Sequence, residues 1–147
     1  MIIYRTIKAT PEEYFDALVN LLVAEYRRNF SGGVNKNDIK EGFSIKKTYN
    51  EKGEEKVNEL KVVKFNRPTI FRVEVYTPKG MQYTQHELRP VRNGYVEDTY
   101  EEGFKANTLG LTLKGFFGEE KTRRNMALLV KQIAKEIEKK HKANKDA

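Results

Sequence analysis

The chain has 147 residues, 33% charged and 38% hydrophobic, a balance that suits one soluble globular domain with its own buried core. It contains no cysteine, which excludes disulfides, thiolate metal sites and cysteine nucleophiles. The formal net charge is +7, and from residue 114 onward ten Lys/Arg stand against five Asp/Glu, so most of the basic excess belongs to the final segment.

Residues Ile2 to Lys8 alternate, with Ile3, Arg5 and Ile7 opposite Ile2, Tyr4 and Thr6, and predict a first strand. This opening has no long apolar run of the kind a signal peptide needs. The most apolar stretch, Ala17 to Ala24, is interrupted by Asn20 and falls well short of the ~20 residues of a membrane span. No membrane span is expected, and a cytoplasmic location is. Thr10-Pro11-Glu12-Glu13 then predicts a helix start: Thr10 can cap, Pro11 suits the first helical position and Glu13 completes a capping box. Phe15, Leu18, Leu22 and Tyr26 continue at helical spacing, Val19 and Leu21 widen the apolar face, and Ser31-Gly32-Gly33 is the expected stop.

Beyond Gly33 the period becomes strand-like. Phe43, Ile45 and Tyr49 alternate with Ser44, Lys46 and Thr48, and Glu51-Lys52-Gly53 turns the chain. Val57 to Phe65 follows, closed by Asn66-Arg67-Pro68, and then Phe71, Val73 and Val75 alternate with Arg72, Glu74 and Tyr76 up to a turn at Thr77-Pro78-Lys79-Gly80. Met81 to Val91 and Tyr95 to Glu102 complete five consecutive strands, joined tightly enough for an antiparallel meander.

The last turn has two possible registers. A two-residue Asn93-Gly94 hairpin would pair Leu88 with Thr99 and put Tyr95, Glu97, Thr99 and Glu101 on the core face. A three-residue Arg92-Asn93-Gly94 loop with Gly94 left-handed pairs Val91 with Tyr95 instead, so that Leu88 faces Asp98 and His86 faces Tyr100. The second register gives the better core and is the one expected.

Residues 103–118 set four glycines among Phe104, Leu109, Leu111, Leu113, Phe116 and Phe117, and read as an irregular or short helical connector. A final helix is predicted over Glu119 to His141, because Met126, Leu129, Val130, Ile133 and Ile137 form one stripe at helical spacing. Its other side carries Arg124, Lys131, Lys135, Glu138 and Lys142, and the Lys-rich end, with residues 143–147, is expected to fray. Glu136 and Glu138 are placed to pair with Lys140 and Lys142 one turn on. No repeat, low-complexity tract or domain boundary interrupts residues 1–147. The fold class is α+β: a curved antiparallel sheet of about six strands around a long C-terminal helix, with one N-terminal helix between strands 1 and 2.

This order of elements resembles the START-like superfamily (SRPBCC, or helix-grip), and residues 7 to 18, Ile-Lys-Ala-Thr-Pro-Glu-Glu-Tyr-Phe-Asp-Ala-Leu, look like its first strand and helix start. Within it the chain resembles an uncharacterised bacterial family of small domains of unknown function. Lys40-Glu41-Gly42-Phe43, Lys46-Lys47-Thr48-Tyr49, Thr99-Tyr100-Glu101-Glu102 and Gly115-Phe116-Phe117 carry that likeness. The resemblance implies a cavity between sheet and last helix, and the function expected of it is the binding of a small, mostly apolar ligand without catalysis. Its walls would be Phe43, Ile45, Tyr49, Phe71, Val73, His86 and Tyr100 on the strands and Met126, Leu129, Val130, Ile133 and Ile137 on the helix. Tyr83 is a further aromatic candidate.

One polar group of residues carries chemistry. His86 opposite Tyr100, with Asp98 on the diagonal, could act as a general base held by a carboxylate, Tyr100 orienting or protonating a substrate. These three are the catalytic candidates of the enzyme alternative. The bland reading is a hydrogen-bonded polar cluster in a partly wet cavity. No metal site is expected, since His141 lies far from His86 and no ligand spacing occurs. No cofactor is expected either, the glycine pairs lacking the strand-to-helix spacing of a phosphate loop. A basic stripe of Lys46, Lys61, Lys64, Arg72 and the helix lysines raises nucleic acid or an acidic partner as a further alternative. Glu54, Glu55, Glu97, Glu101 and Glu102 interrupt it, and no RRM-type aromatic signature appears.

Overall fold

The computed structural model describes residues 1–30, 33–106 and 119–145. Six strands, β1 (Ile2–Lys8), β2 (Ser44–Glu51), β3 (Glu54–Asn66), β4 (Ile70–Thr77), β5 (Gly80–Val91) and β6 (Tyr95–Ala106), form one antiparallel sheet. Their spatial order is β1-β6-β5-β4-β3-β2, so β1 and β2 are the two edges. Helix α1 (Pro11–Asn29) carries the chain from one edge toward the other, and α2 (Glu119–Lys145) packs along α1 and against β1. This is the expected curved sheet with one N-terminal and one long C-terminal helix.

The local devices act as their residues dictate. Thr10 Oγ1 accepts the Glu13 N–H at 3.1 Å, Glu13 Oε1 accepts the Thr10 N–H at 3.1 Å, and Pro11 opens the helix. At the other end the Phe30 N–H closes on the Tyr26 carbonyl at 2.7 Å. Of the expected stop, Ser31 and Gly32 lie outside the described residues. The β2–β3 hairpin turns through Lys52 and Gly53, at φ 53° and 80°. The β5–β6 loop is the three-residue one, with Gly94 left-handed as expected and Asn93 sharing that conformation. Val91 pairs with Tyr95, Leu88 with Asp98 and His86 with Tyr100.

A register shift between Val62 and Lys64 bends β3 and brings Phe65 onto the same face as Val62. Phe65 thereby joins Phe15 of α1 and Phe71 of β4, with ring centroids 5.2 to 6.1 Å apart. Tyr14, Leu18 and Val19 of α1 and Val62 and Val96 of the sheet are likewise fully buried around them. Each large apolar side chain so placed contributes about 1.5–3 kcal/mol relative to exposure. Ile133 and Ile137 of α2 complete this core.

Three boundaries differ from the sequence reading. β3 begins at Glu54, pairing Glu54 with Glu51. β6 runs on to Ala106, so residues 103–106, expected in the connector, are strand; residues 107–118 lie outside the described residues. The reason is local: the Tyr83 ring lies across Gly103, where a Cβ would meet its Cε1 at 2.3 Å, and Arg72 stacks 4.2 Å from the same ring. The third difference is at the C-terminus, where residues 143–145, expected to fray, are the last turn of α2.

Candidate functional site

α1 does not cover the whole inner face of the sheet. Where its last turns leave β4 and β5, a cleft of about 370 Å³ opens. Leu22, Glu25 and Tyr26 of α1 form one side. Leu60, Val73 and Val75, with Thr84, His86 and Tyr100, form the sheet side. Asn125, Met126 and Leu129 of α2 form the roof, so the helix stripe meets the cleft only near its N-terminal end.

Five of the expected wall residues therefore border it: Val73, His86, Tyr100, Met126 and Leu129. The others do not, and the cause is α1, which fills the space they would have enclosed. Phe71 is locked in the aromatic cluster, Ile133 and Ile137 are core, and Phe43 and Ile45 pack against that core from the β2 side. Tyr49 is half-buried near the β2–β3 tip, and Val130 is half-buried on α2, neither bordering the cleft. Tyr83 touches the cleft, but its ring lies on the opposite face of the sheet.

At the deep end stands a hydrogen-bonded triad. Asp98 is completely buried, and its Oδ2 accepts the Tyr14 hydroxyl at 2.6 Å and lies 2.7 Å from His86 Nδ1. A carboxylate only accepts, so Nδ1 carries the proton and Nε2 is the ring nitrogen left for the cleft. Arg5 stands directly across from Asp98 on β1, and Asp98 Oδ1 has no hydrogen-bond partner among the described residues. The Tyr100 ring lies 4.9 Å from that of His86, and its hydroxyl donates to Glu102 Oε2 at 2.8 Å.

The phenols report the electrostatics. Burial, and then the Asp98 charge and hydrogen bond, push Tyr14 well above the usual tyrosine range. Burial does the same to Tyr100, reinforced by Glu102 and, more weakly, by Asp98 and Glu25. Tyr26 is raised by burial and by the Glu25 charge. The deep end of the cleft is thus a place where negative charge is near and more of it is unwelcome.

His86, Asp98 and Tyr100 come together as the hairpin register implies. Tyr14 and Glu25 were missed. Both fall on the α1 stripe, Tyr14 four residues before Leu18 and Glu25 three after Leu22. A carboxylate in an apolar helical stripe was the available signal. Among the described residues no group of three or more His, Cys, Asp or Glu could hold a metal, and no helix is long and apolar enough to cross a membrane.

Part of the basic stripe is matched by carboxylates. Lys46 and Lys61 both reach Glu59, and Arg72 pairs with Glu74. On α2, Lys142 pairs with Glu138 at 3.9 Å as expected, whereas Lys140, expected to pair with Glu136, reaches Asp16 of α1 at 3.7 Å. His141 Nε2 lies 2.5 Å from Glu13 Oε2, which fastens the end of α2 to the start of α1.

No curated protein matches this chain. Among solved structures it is similar to Ara h 8.0201, with a TM-score of 0.62 at 13% identity over 93% of this chain and 95% of that one. It is also similar to SA2116 from Staphylococcus aureus, a protein of unknown function (TM-score 0.56, 15% identity, 97% of each chain). A third is Mll3558 from Rhizobium loti (TM-score 0.54, 18% identity, 92% and 94%). At such identities the likeness is one of fold. Residues 1–117, from β1 through the strand that carries Asp98 and Tyr100, match the domain of unknown function DUF3284, and the chain belongs to that family.

Proposed function

We propose that this protein is a START-like, non-catalytic binder of a small, mostly apolar molecule, held between the sheet and the N-terminal part of α2. The cleft carries the reading: about 370 Å³ beside Leu22, Val73, Val75, Met126 and Leu129, with a few convergent polar groups at its deep end. That size and composition fit a small-molecule site. The test is native mass spectrometry of protein purified from its own host, together with titration by Nile red. A bound species or saturable Nile red binding, abolished by the cleft-filling Val73→Trp, is the expected outcome. A protein that carries nothing and binds no apolar probe overturns the reading.

One observation favours a second reading. With Nδ1 of His86 2.7 Å from a buried carboxylate, Nε2 is set up as a general base beside Tyr100. Comparing the molecules that copurify with wild type and with His86→Asn separates the two. The same bound species in both supports binding alone; a substrate retained by His86→Asn and a different product on wild type supports acid–base chemistry.

A further inference from the structure

Among the described residues the cleft holds no cationic side chain: its polar groups are the neutral Gln82, Thr84 and Asn125, which can donate or accept, and three groups that offer acceptors. His86 spends its donor on Asp98 at 2.7 Å, so in the neutral ring Nε2 offers a lone pair. Tyr100 spends its hydroxyl proton on Glu102 at 2.8 Å, which leaves its oxygen an acceptor. Glu25 is a carboxylate with no ion pair among the described residues. It is exposed at the rim of the cleft, three residues after Leu22 and one before Tyr26, and also borders the neighbouring groove of Arg28 and Lys135.

The charge distribution agrees. A chain with 28 Lys and Arg places none of them among the described residues that border the cleft. The rings of Tyr26 and Tyr100 add π-faces at the same end, the kind of surface that attracts a cation. An anionic ligand would find only the neutral donors of Gln82, Thr84 and Asn125 and no cation to match its charge; a protonated nitrogen would meet three acceptors, one of them a carboxylate. Resting on the binding reading above, we propose that the occupant is an amine, an apolar body bearing a protonated nitrogen received by Glu25, Tyr100 and His86. The ammonium supplies three donors, and Glu25 supplies the compensating charge. The apolar body lies along Leu22, Val73 and Met126.

Three probes with one apolar body test this: phenylbutylamine, phenylbutanol and phenylbutyric acid, titrated calorimetrically into the full chain at neutral pH. The amine is expected to bind about tenfold more tightly than the alcohol, the difference a charge-assisted hydrogen bond supplies, with the acid weakest. The overall charge of +7 would favour the acid, so this order reports the cleft and not the net charge. Glu25→Gln is expected to reduce the amine-to-alcohol ratio to about twofold or less. Equal binding of amine and alcohol, tighter binding of the acid, or an undiminished ratio in Glu25→Gln overturns the amine assignment and leaves the apolar-binder reading standing. Failure of all three probes to bind overturns both.

Discussion

Asp98 is the residue on which the site is hung. One of its oxygens serves Tyr14 of α1 at 2.6 Å and His86 of β5 at 2.7 Å, with no exposure to solvent. Tyr14→Phe removes one hydrogen bond to a charged group and is expected to cost about 1.5–3 kcal/mol in urea unfolding. Asp98→Ala should cost more, because it strands a buried hydroxyl and a buried imidazole together. Variants that unfold at the wild-type midpoint would show that these bonds carry no net stability. Phe71→Ala, which removes a fully buried ring of the three-ring cluster, should cost about 3–5 kcal/mol, as befits a core side chain and not a cleft wall. At this scale the sequence was readable where a loop length set a register: choosing the Arg92-Asn93-Gly94 turn put His86, Asp98 and Tyr100 together. Tyr14 was not readable, because its partner lies 84 residues away and only the seating of α1 brings them into contact.

At the scale of elements, α1 depends on both of its ends. Thr10→Ala removes the cap and should cost about 1 kcal/mol. Glu13 has its carboxyl held below the usual range, first by the Thr10 backbone N–H and further by the hydrogen bond and charge of His141, against an opposing desolvation. A depressed carboxyl stabilises the fold above its unfolded pKa of about 4.3, and that contribution is lost as the pH falls through the folded value. The stability difference between wild type and Glu13→Gln should therefore be largest near neutrality and shrink as the pH falls below the unfolded pKa; a difference unchanged by acid would refute the linkage. The start of α1 was legible because Thr10, Pro11 and Glu13 each act within one turn. The end of β6 was not: Gly103 looks like the first of a run of connector glycines until the Tyr83 ring on the neighbouring strand is seen to need its missing Cβ.

For the molecule as a whole, occupancy of the cleft must appear as stability. A ligand at about a hundred times its Kd adds about 2.7 kcal/mol. In a chain this size that is roughly a 5–10 °C rise in Tm, measurable by calorimetry with and without phenylbutylamine. No rise at saturation would place the ligand outside the folded state. The strands and both helices were legible from periodicity, since each shows its buried face in its own residues, whereas the pairing of β1 with β6 was not, because period alone does not name a neighbour. The cleft was legible only in outline. Whether Phe71 and Ile133 face a void or a neighbour depends on how deeply α1 sinks between sheet and α2, a matter of packing that no single stretch encodes.

The fastening of α2 has a mechanical consequence. Its contacts with Asp16 and Glu13 sit at Lys140 and His141, while its roofing residue Met126 lies about 22 Å away along a helix that rises about 1.5 Å per residue. α2 is thus clamped twice, by charge at its C-terminal end and by the core packing of Ile133 and Ile137 along its middle, with the roof beyond both. A tilt of only about 5° about the charged end carries the roof through about 2 Å over such an arm. Salt and acid weaken only the charged clamp, so the roof is left to the apolar one.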